Sequence, residues 1–130
     1  MQEYKLSFGT IVVLKDDLAE VIINEGVVMN EIMVDLYHDF LLSYLKAPFS
    51  LIINKKNSYT YTFEAQKIIA NLKEIHAMAV IVGTDAAVMS TKTLIQINES
   101  NNWNIKLFRT RPEALEWIES LHEYSLQEQH

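Results

Sequence analysis

The densest gathering of reactive side chains in this sequence is Lys55-Lys56-Asn57-Ser58-Tyr59-Thr60-Tyr61-Thr62. An apolar run precedes it and an amphipathic one begins near Thr62, so the segment reads as a loop leading into a helix. A helix N-terminus carries unpaired N–H groups and a partial positive charge, and Lys55 and Lys56 add to that attraction. Ser58, Thr60 and Thr62 could therefore hold an anion or accept a phosphate. Hydroxyls also belong at such a turn simply to cap the helix. Tyr59 and Tyr61, with Phe63 and Trp103 in or near loops, are anchors for a partner or an apolar ligand if exposed. Packing beneath the loop explains them equally well.

A second candidate is the turn Gly83-Thr84-Asp85, which closes an apolar strand just before a helix, where α/β folds place ligands. A third group, Asp35, His38 and Asp39, could ligate a metal or move protons. It lies opposite the apolar stripe of Ile32 or Met33, Leu36, Phe40, Tyr44 and Leu45, which favours a solvated face. His76 reads as the last turn of the second helix, in a capping or surface role.

The remaining chemistries are excluded or unsupported. There is no cysteine, so thiol nucleophiles, disulfides and iron–sulfur ligation are impossible. Glycine occurs only at positions 9, 26 and 83, which leaves no phosphate-cradling glycine loop and no Gly-x-Ser-x-Gly elbow. Neither His-x-x-x-His nor His-Glu-x-x-His is present. The expectation is a protein that is not an enzyme and that needs no cofactor or metal.

The elements that must position these residues follow from periodicity. Tyr4 to Phe8 alternates apolar and polar residues as a half-buried strand does; Gly9 interrupts it, and Thr10 to Leu14 is a β-branched second strand. Lys15-Asp16-Asp17 turns the chain into a partner strand, Leu18 to Asn24. Asn30 caps a helix that must stop before Pro48. Phe49 to Ile53 and Met78 to Val82 are continuous apolar runs, the pattern of strands buried on both faces. A second helix runs from near Thr62 to about His76, with Ala65, Ile68, Ile69, Leu72 and Ile75 inward, and a third runs from Thr84 or Asp85 to about Asn98. Ile105 to Phe108 is a short strand. Thr110-Arg111-Pro112-Glu113 then forms a capping box that opens a last helix, with Ala114, Trp117, Ile118 and Leu121 facing inward.

The order is thus β-β-β-α-β-α-β-α-β-α. It predicts an α/β class domain whose mixed, mostly parallel sheet has helices packed against it. One domain covers 1–130, with an ordered core over about 4–122 and a loose C-terminal tail, 123–130. The net charge of −6 comes almost wholly from the end: from Pro112 onward there are five glutamates and no lysine or arginine. No basic stripe suggests nucleic acid, and no apolar stretch is long enough for an integral membrane segment. No basic leader precedes an apolar core at the start, so a cytoplasmic protein is expected.

Met78-Ala-Val-Ile-Val-Gly-Thr84, then Asn104-Ile-Lys-Leu-Phe-Arg109 and Glu113-Ala-Leu-Glu-Trp-Ile118, resemble the tail of SpoIIAA-like proteins of the STAS superfamily (sulfate transporters and anti-sigma-factor antagonists). The element order from Phe8 to Leu121 agrees with that fold. The resemblance is specific over about the last 45 positions and implies a STAS-like sandwich in a small stand-alone bacterial protein. The antagonists carry an Asp-Ser-Ser/Thr-Gly-like turn where this chain has Asn57-Ser58-Tyr59-Thr60, so their phospho-switch does not transfer. The resemblance implies a non-catalytic regulatory module acting through an unidentified protein partner or as a homodimer. Trp117, as an apolar residue of the last helix, reads as packing on the sheet edge or at a subunit contact. The alternative is a carrier of a nucleotide or lipid, which needs a cavity beside Gly83 or between the sheet and a helix.

Overall fold

Alternation at the N-terminus produces an antiparallel meander of β1 (Gln2–Leu6), β2 (Gly9–Lys15) and β3 (Leu18–Ile23) in the computed structural model, which describes residues 1–98 and 104–128. Gly9 begins β2 at a close approach of backbones. A Cβ there would overlap the Ile22 carbonyl oxygen and stand 3.0 Å from Ile23 Cα, so only hydrogen fits. The chain then makes a two-residue strand β4 (Val28–Met29) and enters α1 (Glu31–Tyr44), capped by Asn30, whose side chain accepts from the Met33 N–H at 2.9 Å.

The apolar runs become parallel strands. β5 (Phe49–Lys55) lies between β3 and β7 (Ile75–Val82), and β8 (Ile105–Phe108) closes the far edge, giving a six-stranded mixed sheet of order β1-β2-β3-β5-β7-β8. Between them lie β6 (Thr60–Tyr61), α2 (Phe63–Ile68) and α3 (Asp85–Ile97), and α4 (Arg111–Glu128) follows β8. β4 and β6 pair in parallel as a separate two-stranded ladder.

Residues i and i+2 of a strand share a face, and the register lines up Val21, Ile53, Val80 and Leu107 across four strands. One face of the sheet, with Ile11, Val21, Leu51 and Met78, buries Val34, Tyr37 and Leu41 of α1 and Ala65 of α2. The other presents Ile52, Ala77, Ala79 and Ile81 to Ala114 and Ile118 of α4. The alanines on both sides let that helix lie close. Buried on this second face is a charged residue, Glu20, whose side chain is 8% exposed. Its carboxylate accepts from Arg111 Nε at 3.0 Å and from Asn54 Nδ2 at 3.0 Å, so the buried charge is paired.

The α/β class, the mixed and mostly parallel sheet and the flanking helices agree with the sequence reading. Several details differ. Two short strands, β4 and β6, add to the predicted order. The buried stripe of α1 is Val34, Tyr37 and Leu41, leading to Leu45, whereas Ile32 is 71% exposed and Leu36 and Tyr44 also face solvent. The helix is apolar around most of its circumference, so period alone could not choose its phase; the entry from β4 does. The second helix stops at Ile68, because Ile75 pairs with Phe49 and belongs to β7. His76 is therefore an exposed strand residue, not a helix end. α4 continues to Glu128, through most of the segment expected as a loose tail. No helix among the described residues is long and apolar enough to cross a membrane.

Candidate functional site

Between the sheet and α3 the core does not close. Val21, Ile23, Ile53, Met78, Val80 and Ile105 form the floor of a cavity of about 40 Å³, and Thr91, Leu94 and Ile95 of α3 form its roof. Tyr37 of α1, with Ile69 and Ala70, makes one wall. Lys55, at the end of β5, and Tyr59 and Tyr61, before and within β6, make the rim. The volume holds about three waters' worth of matter.

The rim explains why this loop carries its composition. Tyr59 and Tyr61 do not stand in solvent; their rings meet edge to face at 5.6 Å, and the Tyr61 hydroxyl donates to the Tyr59 hydroxyl at 3.4 Å. Lys55 Nζ lies over both rings, 4.9 Å from the Tyr59 centroid and 5.4 Å from that of Tyr61. Burial pulls the Lys55 ammonium down to about 8, from an ordinary value of 10.5. Burial also pushes the phenols of Tyr37, Tyr59 and Tyr61 upward, so at neutral pH all three are protonated donors. Among the described residues no carboxylate forms an ion pair with Lys55. The Thr91 hydroxyl on the roof, in a residue 2% exposed, has no hydrogen-bond partner.

The loop is held over the cavity by the β4–β6 ladder and its extensions. Gly26, at φ +79° where glycine is favoured, donates its N–H to the Ser58 carbonyl at 2.7 Å. Thr60 N–H donates to Val27 O at 3.0 Å and Thr62 N–H to Met29 O at 2.9 Å. Asn57 Nδ2 donates to Ile23 O at 2.9 Å.

The other residues singled out in the sequence fall elsewhere. Lys56 and Thr60 are exposed. Thr62 is the N-cap of α2, its hydroxyl accepting from Ala65 N–H at 3.2 Å. Ser58 N–H donates to the Glu25 carboxylate at 2.6 Å, so an anion at Ser58 would meet a negative charge. Gly83, Thr84 and Asp85 are exposed and do not line the cavity. Thr84 caps α3 by accepting from Ala87 N–H at 3.1 Å, and Asp85 pairs with Arg109 at 3.1 Å on the surface.

Asp35 and Asp39 face solvent, but His38 does not share that face. Its Nε2 lies 2.8 Å from the Ile69 carbonyl, to which it donates, tying α1 to the end of α2. Among the described residues no three acidic or histidine side chains gather as metal ligands. Trp117 packs on Phe108 of the edge strand, centroids 5.6 Å apart, while Trp103 lies outside the described residues.

Against known proteins the chain matches no family model, no curated protein and no solved structure. The site therefore speaks through its own chemistry. Two of its members, Tyr37 and Thr91, escaped the sequence reading. Tyr37 was obscured by the uncertain phase of α1, and Thr91 sits in the polar-looking run Ser90-Thr91-Lys92-Thr93, where nothing marks one hydroxyl as inward.

Proposed function

We propose that this chain is a non-catalytic binding module that takes a small, largely apolar ligand between its sheet and α3. The reading is carried by the inward turn of Lys55, Tyr59 and Tyr61 onto a cavity whose other walls are almost entirely aliphatic. The resemblance to STAS proteins supports the same class, since some members of that superfamily take small ligands. That resemblance and the cysteine-free sequence also motivate a cytoplasmic setting. A nucleotide is far larger than about 40 Å³ and has no phosphate cradle here. A lipid would fit only by the end of a chain.

Thermal unfolding in the presence of alcohols of about four to six carbons, compared with Ala70→Leu, tests the module. At a hundredfold excess over Kd, a ligand that binds only the folded state adds about 2.7 kcal/mol. Ala70 lines the cavity, so the larger side chain should abolish that gain. Equal response in both proteins, or none in either, rejects the cavity as a binding site.

A second reading, a regulatory module docking a protein partner or a second copy of itself, rests on a different surface. Val28, Ile32, Leu36 and Phe63 are between 52% and 71% exposed; Val28 lies in β4 and the others in the helices α1 and α2 that follow β4 and β6. Monomeric proteins rarely leave a large contiguous apolar patch in water. In native mass spectrometry of gently isolated protein, a second chain should accompany the wild type and be shed by Ile32→Glu. Bare protein in both cases removes this reading.

A further inference from the structure

We infer that the occupant of the cavity is a small monocarboxylic acid with a short alkyl body, its carboxylate facing the Lys55 ammonium. This inference rests on the binding-module reading above and names the ligand class.

The polar groups on the lining are short of acceptors. Lys55 offers three N–H donors and no acceptor. Tyr61 spends its proton on Tyr59, which leaves the Tyr59 proton to be donated. Thr91, buried on the roof, has a hydroxyl with no partner at all. A buried donor left unsatisfied is uncommon in folded proteins and calls for an occupant that accepts. An ionised carboxylate only accepts, through two oxygens with about four lone-pair positions.

Charge and size narrow the class further. There is a single ammonium at the rim, and among the described residues no acid pairs with it. One negative charge balances it, whereas a phosphate dianion would leave an excess inside an apolar wall. The rest of the lining is aliphatic, from Val21 and Ile53 below to Leu94 and Ile95 above, and asks for methyl and methylene groups. Room for about three water-sized bodies corresponds to an alkyl part of about three carbons. Butyrate and isovalerate have the right dimensions.

The test is titration of the whole chain, followed by amide NMR shifts of residues around the cavity, with straight-chain carboxylates of about two to eight carbons and with isovalerate. The primary amide and primary alcohol of each length serve as neutral shape controls, at constant ionic strength. The same series is run on Lys55→Met and Thr91→Val, with circular dichroism confirming that each variant is folded. Acids should bind at least tenfold more tightly than their amides, with the optimum at about four to five carbons. Lys55→Met should bring acid and amide within about twofold while still admitting the alcohols. Thr91→Val should weaken the acids while leaving the order of chain lengths unchanged. Amides and alcohols binding as well as acids would overturn the carboxylate and leave the binding module standing. An acid preference that survives Lys55→Met would overturn the role of the ammonium. If no probe of any class shifts the cavity resonances, the binding module itself fails, and the ligand class with it.

Discussion

Lys55→Met is expected to be more stable than the wild type at pH 7, by about 2 kcal/mol. The ammonium is desolvated with no carboxylate partner among the described residues, and its pKa falls from 10.5 to about 8. At about 1.4 kcal/mol per pH unit, that displacement is a penalty of roughly 3 kcal/mol on the charged form. Methionine keeps the length and apolar character of the lysine stem and forfeits about 1 kcal/mol of cation–π contact with Tyr59 and Tyr61.

The same displacement fixes a pH dependence. Below about 8 lysine is charged in both states, and the folded protein bears the whole penalty. Between about 8 and 10.5 the unfolded chain holds more protons than the folded one, so stability rises with pH. Tyr37, Tyr59 and Tyr61 face this group, and their raised pKa values act in the opposite sense. The unfolded chain ionises these phenols above 10.0 while the folded protein resists, and stability then declines. Urea unfolding from pH 7 to 11 should give an alkaline maximum in the wild type and lose the rise in Lys55→Met. A variant weaker than wild type at pH 7, with the rise intact, would show that the ammonium is well solvated.

Gly9→Ala is the damaging counterpart. The added methyl would overlap the Ile22 carbonyl oxygen, and backbone cannot rotate aside as a side chain does. β2 and β3 must separate at the start of their ladder, where Gly9 pairs with Ile23. Overpacking of this kind costs about 3 kcal/mol, a large part of the stability of an ordinary domain. The melting temperature should fall by roughly 12 °C for a chain of this size. Gly83→Ala supplies the control: nothing lies within 4 Å of its Cβ position, and its backbone is not left-handed. It should be neutral or slightly stabilising. Similar melting of both variants would mean that the β2–β3 approach is looser than described.

Much of this architecture can be read from the chain because each level agrees with the next. Phe49 to Ile53 and Met78 to Val82 had to be central strands, since no polar face interrupts them, and they pair with each other. Asn30 and Thr84 were readable as caps because their side chains meet the N–H groups that helix geometry leaves unpaired. Thr110 and Glu113 likewise meet at the start of α4, hydroxyl to carboxylate, at 2.7 Å. The ladder of β4 and β6 was not readable, being two residues on each side and below any periodic signal. The site was half legible. Its rim residues stood out as types, but their direction depended on that ladder, which turns Tyr59 and Tyr61 inward. The cavity itself is a mismatch between α3 and the sheet, set by side chains far apart in sequence, and no local pattern encodes it.

The order of strands in the main sheet has a consequence for how the chain assembles. Each strand lies beside the one laid down before it, from β1 to β8, with only the short ladder standing apart. A chain emerging from the ribosome can thus build the sheet by accretion, every arriving strand meeting an edge already formed. Each parallel pairing still has to close a long crossover, as from Leu18 to Ser50 or from Met78 to Ile105, which slows its formation. One clasp breaks the pattern: Arg111 reaches Glu20 across 91 residues. Until α4 arrives, Glu20 has Asn54 alone as its side-chain partner, and its face of the sheet lies open. α4 brings both the cover for that face and the counter-ion for the charge beneath it, so the second face of the sheet and its buried electrostatics are completed together.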